Sequence, residues 1–226
     1  MTLAYGSKLY GFKENLMSDI IRPFVLEHPD ENPFVSPIQA ATYMARLIWE
    51  AVGTTVVKAV EGMAWLQKVA ELICKEGHVV TWNTPNGLPV QQNYVCLTQE
   101  VVRMRFNKAR VRFYTQVEEE GGKVDTRRQA QGISPNFIHS MDAVHLQRVV
   151  NAEYSKGNTN FMMIHDSFGT DAAHAGQLFK TIREEFAGLY KDQNYLQDFL
   201  EQVSYLINDD DMDKIPKIPS FGTLDL

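Results

Sequence analysis

Cysteine is scarce in this sequence and long apolar runs are missing, and each shortage excludes something. The 226 residues contain only Cys74 and Cys96. Two isolated thiols without metal-ligand spacing leave no structural zinc site and no disulfide framework, and they fit a reducing compartment. No stretch is apolar for long enough to span a bilayer and no leader pattern opens the chain, which points to the cytoplasm and away from any membrane. A basic excess is absent as well. Twenty-two Lys and Arg against 28 Asp and Glu give a net charge of −6, which excludes a wholly basic nucleic-acid coat but leaves local patches open. What is there is an ordinary globular composition, 44% hydrophobic, long enough for one large domain or two interdependent lobes.

Helical spacing dominates the first third. The chain opens on Met1-Thr2-Leu3-Ala4-Tyr5-Gly6-Ser7 with no cap or turn signal. A helix is predicted from about Leu9 to Arg22, with Phe12, Leu16, Ile20 and Phe24 on one stripe and Pro23 near its end. Residues 27–35, with Pro29 and Pro33, read as a polar linker. Ser36-Pro37 then starts a helix whose stripe runs through Ile38, Ala41, Ala45, Ile48 and Val52. A second stripe, Val56, Val60, Met63 and Leu66, continues to about Cys74, with a bend or break expected around Gly53 to Val57. Trp49 and Trp65 read as scaffold.

Two hairpins follow. Val79 to Trp82 and Leu88 to Val90 flank a Pro-Asn-Gly turn. Val101 to Phe106 and Val111 to Val117 alternate apolar and polar residues around Asn107-Lys108-Ala109. Between Val101 and Val117 the charges are Arg103, Arg105, Lys108, Arg110 and Arg112, without an acid. Alternation puts Arg103 and Arg105 on one face of their strand and Arg110 and Arg112 on one face of theirs. Guanidinium forks on a two-stranded ribbon suit phosphates and base edges in a DNA groove. A solvated basic face balanced by Glu118-Glu119-Glu120 fits the same residues. The segment Glu118 to Arg128 is expected to be a mobile loop.

Ser134-Pro135 signals another helix, with Ile138, Met141, His145 and Val149 on one stripe and His139 and Asp142 a turn apart on another. Next, Phe161 to Ile164 reads as a short buried strand leading into His165-Asp166-Ser167. A carboxylate on the turn after such a strand is held firmly with accessible oxygens, as a hard divalent cation requires. A plain surface aspartate in a tight turn fits these residues too. Thr170 or Asp171 is expected to cap a helix bearing Leu178, Phe179, Ile182, Phe186 and Leu189, and Tyr195 to Leu206 is helical. Asp209-Asp210-Asp211 reads as a solvated loop.

Taken together, three stretches resemble one family, the single-subunit, bacteriophage-type DNA-directed RNA polymerases. Met1-Thr2-Leu3-Ala4-Tyr5-Gly6 is similar to the end of that family's fingers helix. Gly132-Ile133-Ser134-Pro135-Asn136-Phe137-Ile138-His139-Ser140-Met141-Asp142 is similar to the segment joining fingers to palm. Ile164-His165-Asp166-Ser167-Phe168-Gly169-Thr170 is similar to the second palm carboxylate motif. Related DNA polymerases carry Glu where this chain has Ser167, which favours RNA synthesis. The resemblance implies an α+β right-hand polymerase fragment. Helical fingers would span residues 1–139, with a β-hairpin specificity loop at about 100–123, and a partial palm would span 140–226 with a short antiparallel strand pair and covering helices.

Residue roles come with the resemblance. Asp166 would be one of two aspartates holding two Mg²⁺ ions, with His165 beside it orienting the site. Tyr5 would line the nucleotide pocket and sense the ribose, Gly6 would allow close backbone approach, and His139 would reach the minor groove or that pocket. Arg103, Arg105, Arg110 and Arg112 would contact DNA in the promoter-reading loop. The implied partners are double-stranded promoter DNA, the template strand, nascent RNA and ribonucleoside triphosphates.

The departures matter equally. The family's triphosphate-binding lysine and arginine and its first palm aspartate would all precede Met1, and its C-terminal apolar segment would follow Leu226. The sequence is thus expected to be the C-terminal part of a split or larger polymerase, inactive alone and completed by an N-terminal polypeptide, in the host cytoplasm if phage-encoded. A non-catalytic DNA-binding remnant and an inert truncated fragment are the competing readings.

Overall fold

A computed structural model describes residues 8–31, 33–107, 109–118, 121–191 and 193–220. The chain divides into two compact units. One falls within Met1–Trp65 and Ile218–Asp225, the other within Leu66–Lys217 and Leu226.

In the first unit, helix α1 (Leu9–Leu16) passes through a π-helical turn, Met17–Ile21, into α2 (Arg22–Glu27). Pro23 therefore does not end the helix. The Arg22 N–H reaches back five residues to the Met17 carbonyl, and this wider turn makes room for the proline ring, which an α-turn would drive into the chain. The extra residue also rotates the apolar stripe. Met17 and Ile21 are buried with Ala41, and Leu16, Val25, Phe34 and Ala40 pack around them, whereas Ile20 and Phe24 of the predicted stripe are exposed. Helix α3 (Pro37–Thr55) begins at Pro37 as expected, although the Ser36 side chain makes no capping hydrogen bond. Non-helical Val56 separates α3 from α4 (Val57–Lys75).

The second unit carries three separate two-stranded antiparallel sheets. Strands β1 (Val80–Asn83) and β2 (Pro89–Gln92) pair, as do β3 (Leu97–Phe106) and β4 (Ala109–Glu118), and β5 (Met162–Ile164) and β6 (Ser167–Gly169). Helices α5 (Thr126–Ser155), α6 (Ala175–Tyr190), α7 (Tyr195–Val203) and α8 (Asp209–Met212) complete it. The α+β class is thereby met. Met141 and Val144 of α5 pack on Leu189 of α6. The rings of Trp82, Phe137 and Phe199 meet at 5.6–6.1 Å, and the Trp82 indole N–H donates to the Ser140 hydroxyl. No helix among the described residues is long and apolar enough to cross a membrane.

Helix α5 overturns two expectations. It starts at Thr126 rather than Ser134, with Asp125 accepting from the Arg128 amide at 3.0 Å as its cap. Thr126 to Arg128 are accordingly helical. Pro135 sits inside it, where an interior proline costs about 3 kcal/mol. A buried amide network offsets that cost. Gln129 donates to the Gln92 carbonyl, Gln92 donates back to Gln129, and Asn136 donates to Gln92 and to the Tyr94 hydroxyl. The network fastens the first turns of α5 to the end of β2, so tertiary bonding overrides the local signal.

The acidic run likewise departs from a solvated loop. It forms α8, and Asp211 is buried between the ammonium groups of Lys75 and Lys214. Hydrogen bonds from Lys214 and then Lys75 hold the Asp211 carboxyl below its ordinary value.

Gly132 faces the Tyr94 ring so closely that an added Cβ would lie 2.6 Å from Cε2. The ring is held by Asn136 and lies under the Arg128 guanidinium, so it cannot simply swing away. Gly132→Ala is expected to cost about 1–3 kcal/mol, read as a lower denaturant midpoint. Asp211→Asn should lower the melting temperature at neutral pH. Because the folded carboxyl titrates below the unfolded one, the wild-type advantage is full above the unfolded value and fades as pH falls through the folded one. Melts at pH near 7 and near 3 should therefore show a large gap and a small one.

Candidate functional site

The pairing Met162↔Gly169, Met163↔Phe168 and Ile164↔Ser167 leaves His165 and Asp166 as a two-residue loop. Only His165 of the two is left-handed, with φ 53°. A tight hairpin turn with one such residue in first position normally gives that place to glycine. A left-handed histidine costs about 1–3 kcal/mol. Gly169 closes the hairpin opposite Met162, whose carbonyl would lie 3.2 Å from an added Cβ. Phe168 packs edge-on against His145 of α5 at 5.4 Å between ring centres. His145 in turn contacts the Ile182 carbonyl of α6 at 2.9 Å.

The strand is not buried, contrary to expectation. Met162 and Ile164 are 69% and 63% exposed, and His165, Asp166 and Ser167 are exposed too. No third strand among the described residues covers this two-stranded sheet. Among the described residues the Asp166 carboxylate has no hydrogen-bond or ion-pair partner. It is neither walled in nor neutralised, and both oxygens can accept a ligand.

The basic ribbon gains its register from the structure. Arg103 lies directly opposite Arg112, and Arg105 opposite Arg110. Paired residues share a face, so all four guanidiniums occupy one side of β3–β4. Tyr114 and Gln116 follow on that side, opposite Val101 and Gln99. Glu118 shares the face but lies six residues along β4 from Arg112, about 20 Å away at strand rise. It cannot balance them. Among the described residues none of the four arginines forms an ion pair, and like charges directly opposite destabilise a ribbon. The other side carries Val102, Met104, Phe106 and Phe113, all exposed.

Tyr5 and Gly6 lie outside the described residues. His139 is exposed on α5 and Asp142, a turn on, is half-buried. Among the described residues no three His, Cys, Asp or Glu side chains gather into a group able to hold an ion by themselves. As a donor, Asp166 suits one coordination position of a hard cation, not a whole shell. Cys74 is no nucleophile, since burial pushes its thiol up to about 11. Tyr114 and Gln116 fall within the predicted loop, but only the pairing register puts them on the arginine face, and sequence reasoning missed the polar groups behind the Asp166 hairpin.

Comparison with known proteins identifies the family. The profile of the DNA-dependent RNA polymerase family matches residues 1–220. The chain is 40% identical to the DNA-directed RNA polymerase of Enterobacteria phage T3 and 39% identical to the T7 RNA polymerase of Escherichia phage T7. In both cases all of this chain aligns with 27% of the relative. A mitochondrial DNA-directed RNA polymerase 1B of Nicotiana tabacum is 33% identical over the whole chain, which covers 21% of it. The chain thus spans about a quarter of the length of the curated relatives it matches. On the strength of a match along nearly its whole length, the chain belongs to the phage-type DNA-dependent RNA polymerase family.

Proposed function

We propose that residues 1–226 act as the C-terminal fingers and palm portion of a single-subunit DNA-directed RNA polymerase, with fingers at about 1–139 and palm at about 140–226. The observation that carries this reading is the His165-Asp166 loop, an exposed and unpartnered carboxylate on a strained two-residue turn. Asp166 would hold Mg²⁺ as one of two aspartates, the other coming from outside residues 1–226. When bound, Mg²⁺ makes a primer hydroxyl more acidic and neutralises charge on departing pyrophosphate. His165 would orient the loop against the primer end. Tyr5 would stack on the incoming base and hydrogen-bond near its sugar hydroxyl, with Gly6 admitting the template and His139 flanking the pocket.

Arg103, Arg105, Arg110 and Arg112 would form the promoter-reading face, between β3 and β4 at about 100–123. The unpaired guanidiniums support this, because a phosphate backbone removes the repulsion that the ribbon carries by itself. Partners would be promoter duplex, template strand, nascent RNA, ribonucleoside triphosphates and an N-terminal polymerase polypeptide.

Residues 1–226 alone should yield no transcript with Mg²⁺, because one aspartate cannot hold two ions. Supplied with the remaining polymerase portion, they should transcribe. Asp166→Asn should then lower the rate by about 10³-fold or more. Product from the chain by itself, or an unchanged rate in Asp166→Asn, would refute the assignment.

Duplex binding separates the ribbon from the hairpin. The slope of log K against log salt should fall by about 2 in Arg103→Ala/Arg112→Ala, roughly one unit for each phosphate no longer neutralised. Asp166→Asn should leave that slope unchanged. Duplex binding without any restored transcription would favour the DNA-binding remnant instead.

A further inference from the structure

The hairpin bearing Asp166 has three residues per strand, too few to be stable by themselves. Side chains brace its open end. Asn158 donates through Nδ2 to the Thr170 hydroxyl oxygen at 3.1 Å, and that hydroxyl donates to the Asn160 carbonyl at 2.7 Å. The Asn160 amide donates back to Asn158 Oδ1 at 3.1 Å, and Asn160 Nδ2 donates to Asp171 at 2.9 Å. The residues entering β5 are thereby tied to those leaving β6.

Behind the brace stands Glu153, near the end of α5, with 0% of its surface exposed. Its carboxylate accepts from Asn158 Nδ2 at 3.0 Å, from Gln177 Nε2 of α6 at 3.0 Å, and from the Thr181 hydroxyl at 2.5 Å. Burial pushes this carboxyl up, but hydrogen bonds from Asn158, Thr181 and Gln177, helped by Lys156, outweigh it and hold the group below its ordinary value. A leucine would fill the same space without the cost of burying a charge. What a carboxylate adds is polarity. It can only accept, so it forces the Asn158 amide to present nitrogen inward. The second Nδ2 hydrogen is then left for Thr170 and Oδ1 for Asn160. One buried acid therefore sets the direction of the bonds that Asn158 makes in the brace.

We propose that Glu153, Asn158 and Thr170 are positioning residues that set where the Asp166 carboxylate stands. This rests on Asp166 being a metal ligand as proposed above. Thr170→Val deletes the hydroxyl at a half-exposed site, Thr170→Ser keeps it, and Glu153→Gln breaks the polarity at its source. Two measurements apply: amide hydrogen exchange across Met162–Gly169 in this chain, and the Mg²⁺ concentration giving half-maximal transcription in a competent polymerase that contains it.

For Thr170→Val, exchange should be about tenfold faster, and for Glu153→Gln at least as fast. The Mg²⁺ requirement should rise about fivefold while the nucleotide KM stays within about twofold. Thr170→Ser should match wild type in both measurements. Unchanged exchange in Thr170→Val, faster exchange with an unaltered Mg²⁺ requirement, or failure of Thr170→Ser to restore both would overturn the proposal. Should Glu153→Gln fail to fold, the threonine pair decides alone. Asp166→Asn separates the two layers. A normal rate there removes the metal reading itself, whereas an inactive Asp166→Asn beside a Mg²⁺-indifferent Thr170→Val removes only the positioning role.

Discussion

A carboxylate sealed from water at Glu153 is the constraint on which the Asp166 hairpin and the two helices behind it depend. An ionised acid is tolerated there only because each oxygen is hydrogen-bonded, by Asn158, Gln177 and Thr181. Those donors come from the loop before β5 and from α6, so satisfying one side chain fixes the spacing of two helices and a hairpin. The ion pair of Arg148 with Glu185 at 2.8 Å and the His145 contact to Ile182 repeat the α5–α6 link further along. The same helix reaches the other candidate element. At its start Gln129 and Asn136 bind Gln92 and Tyr94, and Val95 bridges to Val124 beneath the arginine ribbon. Helix α5 thus acts as a spine, with the basic ribbon rooted at one end and the acidic hairpin at the other.

Charge is distributed to match. The chain is net negative, yet both candidate elements present charge without a counter-ion, positive on β3–β4 and negative on the β5–β6 loop. Several other acids are tied into structure: Asp125 caps α5, Asp171 accepts from Asn160 and His174, and Asp211 joins two lysines. Those bonds draw the Asp171 carboxyl down to about 2. Like charges held directly opposite one another cost stability, whereas an isolated solvated charge costs little. What sets the ribbon apart from an evenly solvated surface is that its four unpaired guanidiniums stand directly opposite one another on one face.

Local chemistry made much of this readable. The Pro-Asn-Gly turn and the alternation on either side of Asn107 located both hairpins. The Asn160–Gly169 stretch showed the strand and turn at Asp166. Pairing is where reading failed, because register depends on long-range packing that no local pattern encodes, and only register gathers four arginines on one face. The two prolines misled for different reasons. Pro23 follows a local π-turn that accommodates its ring, whereas Pro135 lies inside a helix whose start is held further upstream by amides up to 44 residues away. Glu153 and Asp211 were unreadable as buried acids, since their partners lie as far as 28 and 136 residues away.

Strain at the loop and bracing behind it are two sides of one design. Left to itself, a histidine avoids the left-handed region, at a cost of about 1–3 kcal/mol, and a hairpin with three residues per strand supplies little to oppose that. Each brace hydrogen bond contributes about 1 kcal/mol, so the Asn158–Thr170–Asn160 set is the right size to offset the strain without greatly exceeding it. A looser brace would let His165 relax and turn Asp166 away from the tip. Glycine at 165 would remove the strain, but would also free the loop to sample other turns and blur the carboxylate's position. A strained residue under a sufficient clamp keeps a single conformation, which a carboxylate needs if it is to meet an ion and a phosphate at fixed distances.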